Sequence, residues 1–234
     1  MDRREFLGLA AAGFVLAGAG ELVSAEPAQA HTAAVYYKLP NHHSSHIAWT
    51  VDDGASAASV AGYIKMAKDH NIRLTFFATQ FGGGWLQNKK ALIPMVESGQ
   101  IQMANHVTHH PNLTHLTSKG IHDELASCEA WLKKHFGVSG KPYFRPPYGI
   151  YDTKVLRVAA DMGYTRCVMW EGSMGDAGHT SARGVRRNAN KWMTGGRIFI
   201  AHANNMYAMN QPDYFVNLLK SRHLKTKTLH DVFG

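Results

Sequence analysis

Short apolar runs alternate along the chain with longer stretches in which apolar residues recur every three or four positions. His46-Ile47-Ala48-Trp49-Thr50-Val51 is a run of the first kind, and it stops at Asp52-Asp53-Gly54. Its length and bulky side chains predict a buried strand. Over residues 55–71, Val60, Tyr63, Ile64 and Ala67 fall on one face at helical spacing, which predicts a helix. Residues 73–79 read as a second buried strand, broken into a loop by Phe81-Gly82-Gly83-Gly84. A helix over 91–98 closed by Gly99 and a strand over 101–105 follow. The longest helix spans 118–136, with Ile121, Leu125, Cys128, Leu132 and Phe136 as its apolar stripe. Thr117 or Ser118 caps its start and Gly137 ends it. Beyond it, strands begin at Tyr143 and span 165–170 and 197–202, alternating with helices over 153–162, 185–193 and 214–222.

A β-α unit repeated six or seven times implies a parallel sheet. In 234 residues, 45% of them hydrophobic, one domain suffices. The expected α/β architecture is a distorted or incomplete (β/α) barrel of about seven parallel strands over residues 46–234. Residues 31–45, polar and histidine-rich, read as a leader lying over that domain. No Gly-x-Gly-x-x-Gly follows an early strand, so nothing points to a dinucleotide. In such sheets functional side chains gather at the C-terminal strand ends.

Most of the predicted strands end in a chemically loaded residue. Asp52 and Asp53 end the first, and two adjacent like charges demand compensation by a divalent cation, an arginine or a shared proton. His106 and His110 follow the third at a spacing that lets two imidazoles reach one ion, and with one carboxylate they would form a two-His, one-carboxylate site. His42 and His46 share that spacing but precede their strand and lie at its N-terminal end. Arg145 ends the fourth strand, Asp176 follows the fifth and His202 ends the sixth. Together they point to catalysis.

The N-terminus adds an address. Asp2-Arg3-Arg4-Glu5-Phe6-Leu7 is a twin-arginine pattern, and a Gly/Ala-rich apolar stretch runs from Leu7 to Gly20. Ala28-Gln29-Ala30 offers a cleavage site, with Val23-Ser24-Ala25 as the alternative. The apolar run is shorter than the roughly 20 residues that span a bilayer, so residues 1–30 read as a cleaved export signal rather than a stable membrane anchor. Export through the twin-arginine route would leave the protein periplasmic, wall-associated or secreted. The formal net charge of +8 suits an anionic cell wall or an acidic glycan. Lys and Arg are dispersed rather than clustered, which argues against nucleic acid. Cys128 and Cys167 are the two cysteines, and spacing leaves open whether they pair or stay free.

The chain resembles the polysaccharide deacetylases, the NodB-like family 4 carbohydrate esterases, over about residues 46–232. Thr50-Val51-Asp52-Asp53-Gly54 is similar to the family's first motif, Thr-Phe-Asp-Asp-Gly. Asn105-His106-Val107-Thr108-His109-His110-Pro111 is similar to the second, Asn-His-Ser/Thr-x-x-His-Pro. Arg145-Pro146-Pro147-Tyr148-Gly149 matches the third, and Ile200-Ala201-His202 the fifth. The resemblance implies that Asp53, His106 and His110 bind one divalent metal, zinc in the usual case, with cobalt, nickel or manganese as alternatives. It implies Asp52 as general base on a water activated by the metal, held by Arg145. It also implies the Tyr148 backbone N–H as oxyanion donor, and His202, oriented by Asp176, as general acid. Two departures stand out. The fourth motif, normally Asp-Trp, reads Asp176-Ala177, so the acetyl pocket loses a wall that Trp170 or Trp192 would have to replace. Val107 stands for a small hydroxyl residue. The implied activity is metal-dependent N-deacetylation of a β-linked amino-sugar glycan such as peptidoglycan or chitin-type oligomers. O-acetyl ester hydrolysis, as on xylan, or cleavage of another linear amide is the alternative on the same site. A non-catalytic glycan- or wall-binding protein is the alternative of another class.

Overall fold

The computed structural model describes residues 31–40 and 45–234. The export signal read in residues 1–30 and the histidine at 42 lie outside the described residues. The elements are β1 (Ala34–Tyr36), β2 (His46–Asp53), α1 (Ala57–His70), β3 (Leu74–Ala78), α2 (Gly84–Gln87), α3 (Lys89–Glu97), β4 (Ile101–Asn105), α4 (Ser118–Phe136) and β5 (Tyr143–Phe144). They continue with α5 (Thr153–Asp161), β6 (Arg166–Val168), β7 (Gly172–Ser173), α6 (Ala182–Trp192), β8 (Ile198–His202), α7 (Pro212–Ser221), β9 (Lys225–Thr226) and α8 (Leu229–Phe233).

Eight strands follow the order β1-β6-β5-β4-β3-β2-β8-β7, and β9 pairs with the start of β2. Every one of these pairings is parallel. The sheet curls without closing. Its curl brings the segment after β1 against the start of β8, where Lys38 bridges Arg197 and the Leu39 N–H donates to the Gly196 carbonyl. This is the distorted barrel the sequence implies, with nine strands among the described residues rather than about seven. The additional ones are two or three residues long, too short to display a period. Residues 31–45, expected to lie over the domain, contribute β1 to the sheet edge, and Leu39 is buried. The glycine loop after β3 also differs, because Gly84 starts the short helix α2.

Alternation along β2 divides the core. Ile47, Trp49 and Val51 face the helices in a cluster with Tyr63, Phe199 and Phe215. Ala48 faces the barrel interior with Phe77, Ala104, Tyr143, Val168 and Ile198. Trp49 meets Tyr63 and Phe215 edge to face at centroid distances of 6.0 and 5.9 Å. Thr50 and Asp52 share the parity of Ala48 and bring polar groups into the interior. Cys128 and Cys167 are both free and buried, and burial pushes each thiol up to about 12.

Helix α4 carries a buried carboxylate that supports the site from behind. Thr117 caps the helix through the Gly120 N–H, and Gly137 ends it in the left-handed region. Glu129 accepts from the Ser139 hydroxyl (2.6 Å), the Gly140 N–H (3.0 Å) and the Tyr164 hydroxyl (2.7 Å). Tyr164 in turn accepts from Asn105 Nδ2 at 2.6 Å, at the end of β4. Burial raises the Glu129 pKa, yet the bonds from Ser139 and Tyr164 outweigh it and leave the carboxyl below its usual value. Its stabilising contribution is therefore present above the unfolded value of about 4.3 and lost as pH falls. Glu129→Ala should destabilise the fold by roughly 2–3 kcal/mol at neutral pH. In denaturant titrations the gap to the parent should narrow as pH drops below about 4.

Candidate active site

Adjacent strand residues point to opposite faces, yet Asp52 and Asp53 both line one cavity of about 580 Å³. The backbone makes this possible, because Asp53 takes a φ of 71° and Gly54 one of 85°. Leaving the strand conformation at Asp53 re-aims its carboxylate. The turn is held at the Asp53 carbonyl, which accepts from Trp85 Nε1 (2.6 Å) and Thr79 Oγ1 (3.0 Å). Position 54 must be glycine, since a Cβ there would stand 2.1 Å from the Trp85 ring.

Arg145, fully buried, compensates Asp52. Its Nη1 donates to Asp52 Oδ1 at 2.5 Å and to Thr50 Oγ1 at 2.9 Å. Nε and Nη2 donate to the carbonyls of Val168 (2.8 Å) and Met169 (3.2 Å), and the guanidinium lies 4.1 Å from the Phe77 ring centroid. Four hydrogen bonds thus fix the guanidinium, and Asp52 is held in one orientation.

Asp53 is compensated differently. Asn204 Nδ2 donates to Oδ2 at 2.6 Å, whereas Oδ1 is buried and takes no hydrogen bond from the described residues. His106 Nε2 and His110 Nε2 stand 3.3 and 3.4 Å from that oxygen, and the three ligand atoms lie within 4.8 Å of one another. His106 Nδ1 is 2.8 Å from the Arg145 carbonyl. A carbonyl only accepts, so Nδ1 carries the proton and Nε2 turns its lone pair to the cavity. Burial pulls the His106 pKa down, but the charges of Asp52 and Asp53 push it above its ordinary value. Burial would raise Asp53, yet the imidazole of His106 beside it holds it far below the carboxylate range. His110 is lowered by burial and by His106. An unbonded carboxylate oxygen facing two imidazole nitrogens is a donor set in want of a cation, and these residues fit a divalent metal.

The loop after β4 positions both imidazoles. The Asn105 side chain accepts from the Val107 N–H at 2.8 Å. Glu124 of α4 accepts from the N–H groups of Thr108 (3.0 Å) and His109 (2.9 Å). Glu124 also takes the His109 imidazole at 2.8 Å, so that exposed ring is turned away from the three-residue donor set. Val107, where a hydroxyl residue is usual, is buried against Leu113, Leu125 and Phe144.

On the opposite wall His202 ends β8. Its Nδ1 lies 3.0 Å from Asp176 Oδ1, and its own N–H donates to Asp176 Oδ2 at 3.2 Å. Asp176 is fully buried behind it, which leaves Nε2 as the free ring nitrogen. Burial lowers the His202 pKa, but the Asp176 bond and the Asp52 charge raise it overall. Tyr148, with φ 61°, stands at the rim with its ring 4.6 Å from His110. Trp170 lines the cavity beside Ala177, whereas Trp192 packs against Lys191 and Arg197. All eight residues singled out from the sequence therefore meet here, six on the cavity wall and Arg145 and Asp176 directly behind it. Thr50, Thr79, Trp85, Glu124 and Asn204 complete the arrangement and were missed. Each acts through hydrogen bonds to residues distant along the chain, which no local pattern announces.

A buried carboxylate paired with arginine, three residues fit for one metal and a histidine backed by aspartate suit the hydrolysis of an acyl bond. The family model for polysaccharide deacetylase matches residues 40–167. The peptidoglycan-N-acetylmuramic acid deacetylase PdaA of Bacillus subtilis is 28% identical over 200 residues, covering 84% of this chain and 74% of that protein. Its solved structure, a family 4 carbohydrate esterase, superposes with a TM-score of 0.74 at 25% identity, over 85% of this chain and 84% of that one. The peptidoglycan-N-acetylglucosamine deacetylase PgdA of Listeria monocytogenes is 27% identical over 192 residues, 80% of this chain but 39% of that protein. A family 4 pseudoenzyme from Bacillus anthracis shares the fold, with a TM-score of 0.74 at 19% identity over 87% of this chain and 70% of that one. With a family match over more than half its length, and with the family's motifs assembled in one cavity, the chain belongs to the polysaccharide deacetylases.

Proposed function

We propose that this protein is an exported, metal-dependent hydrolase that removes N-acetyl groups from a β-linked amino-sugar glycan, either peptidoglycan or a chitin-type oligomer. The observation that carries the metal requirement is the buried, unbonded Asp53 Oδ1 facing two imidazole nitrogens. Asp53, His106 and His110 would hold the ion, zinc in the usual case. When bound, it would polarise the acyl carbonyl and make water more acidic.

The chain's own residues supply the remainder. Asp52, aimed by Arg145, takes a proton from the attacking water as the water oxygen bonds to the acyl carbon. The Tyr148 backbone N–H is the donor assigned to the developing oxyanion. His202, cationic at the start, gives its Nε2 proton to the sugar nitrogen as the C–N bond breaks, and acetate leaves. Asp176 holds the ring and stabilises its cationic form. The twin-arginine pattern and the net charge of +8 support delivery to an anionic wall.

Asp53→Ala and His110→Ala should each lose zinc binding by isothermal titration while keeping the parent's circular dichroism. Acetate release from chitooligosaccharide or peptidoglycan should stop on chelation and return with zinc. Asp52→Asn should keep the metal and lower kcat by at least about a hundredfold. Absence of release from any acetylated glycan, despite bound metal, would leave a wall-binding protein instead. Because Asp176 raises the His202 pKa, and His202 must enter protonated, activity should fall as pH rises through that value. Asp176→Asn should move this alkaline limb to lower pH in a kcat/KM profile.

A further inference from the structure

The loop after β3 is clamped between the two segments that carry Asp53 and His110. At Thr79 the N–H and the hydroxyl both donate to the Asp53 carbonyl, at 3.4 and 3.0 Å. The Phe81 N–H donates to the Thr108 carbonyl at 3.1 Å, and the Gly84 N–H to the Gly54 carbonyl at 3.0 Å. Gly82 lies so close to the Asp53-Gly54 turn that a Cβ there would stand 2.7 Å from the Gly54 carbonyl group. On this fixed backbone the Phe81 ring is 79% exposed, and it joins no hydrophobic cluster among the described residues. It nevertheless lines the catalytic cavity. A lone exposed apolar side chain is ordinary, but one held rigidly on the wall of a site offers a surface to a ligand. Strand β3 neighbours β4, and β4 neighbours β5, so Phe81, the loop of His106 and His110, and Tyr148 follow one another around the mouth. On the far side of Asp53, the lining residues after β7 and β8 carry no aromatic ring beyond the His202 imidazole.

We propose that Phe81 is a binding platform for the amino sugar next to the one being deacetylated, so that the glycan leaves the cavity over the end of β3. The platform rests on the deacetylase reading given above and names its substrate more closely, as an oligomer rather than a single sugar. A pyranose offers a flat, apolar C–H face edged by hydroxyls. A bare phenyl ring presents the matching flat apolar surface, and covering it removes that surface from water. Because the loop is already tied to Asp53, Gly54 and Thr108, little of it has to be ordered when the sugar binds. A lone sugar seated over Asp53, His106 and His110 gains nothing from the platform, whereas one with a linked neighbour does.

The test uses the metal-loaded chain carrying Asp52→Asn, so that ligands bind without turnover, titrated with N-acetylglucosamine and chitotetraose. Adding Phe81→Ala should weaken tetramer binding about tenfold and leave the single sugar within twofold. Adding Phe81→Tyr, which keeps a flat ring, should retain the tetramer affinity. Phe81→Leu, apolar but not flat, should lose most of it. An unchanged tetramer affinity in Phe81→Ala or in Phe81→Leu overturns the platform. Equal loss for both ligands also overturns it, because the loop would then act only by supporting the cavity. So does a tetramer held no more tightly than the single sugar before Phe81 is changed. Binding that depends on Phe81 without acetate release by the unmodified chain would end the deacetylase assignment and keep the platform. Release with binding indifferent to Phe81 would do the opposite.

Discussion

The interior is organised by the ion pair between Arg145 and Asp52. Both side chains are buried, and the guanidinium donates to two side chains and two backbone carbonyls. Burial lowers the arginine's pKa, and Asp52 opposes that shift. Each charge offsets the other's desolvation, and removing one partner of such a pair costs about 3–5 kcal/mol. The bond also joins β2 to β5 and, through Val168 and Met169, to the end of β6, elements that do not neighbour β2 in the sheet order. One interaction therefore holds the polar part of the barrel interior and aims the proposed base. Arg145 adds one more constraint, since its backbone carbonyl sets the His106 tautomer.

Around this fixed pair the backbone is strained. Asp53, Val107, His110 and Tyr148 all have φ between 61° and 71°, a region non-glycine residues rarely adopt. Each such residue costs roughly 1–3 kcal/mol and persists where its surroundings over-determine it. Trp85 and Thr79 hold the turn at Asp53, and Asn105 holds Val107. Burial of the Val107 side chain adds a second hold. Asn105 is itself tied to Tyr164 and so to Glu129. A chain of hydrogen bonds from the back of α4 thus supports the backbone that presents His106 and His110. The strain has a geometric use, because it lets consecutive residues of an extended segment address the same point.

How much of this is legible in the sequence follows from the range of each interaction. Strands of five residues or more, such as β2, β3, β4 and β8, carry enough apolar positions to be read directly. Strand β1 is three residues in a polar segment, and its reason for pairing lies in β6, about 130 residues away. The eight site residues are legible because they cluster at strand ends in motifs that resemble those of one family. Asn204 is not, although it binds Asp53, since its partner is 151 positions distant. The sequence leaves the replacement of the missing tryptophan between Trp170 and Trp192. The choice depends on Gly149, where a Cβ would lie 2.7 Å from the Trp170 ring, so that ring can lean over the loop and wall the cavity.

The fold by itself is neutral about turnover, because the chain superposes equally well, with a TM-score of 0.74, on PdaA and on a family 4 pseudoenzyme. The side chains carry the distinction. A protein that only gripped a glycan would be served by the exposed aromatic rim. It would gain nothing from burying an arginine-carboxylate pair beside two imidazoles, or from a second buried aspartate behind His202. Those arrangements desolvate charge, which is unfavourable for stability. They become useful when a proton must be taken on one side of a bond and given on the other. The two aspartates at the end of β2 show the same division. They are adjacent in sequence and alike in chemistry, but arginine compensates one, and the other keeps an oxygen open toward two histidines. Structural need alone would treat both carboxylates alike, and their unequal environments suit the proposed base and the proposed ligand, one residue apart.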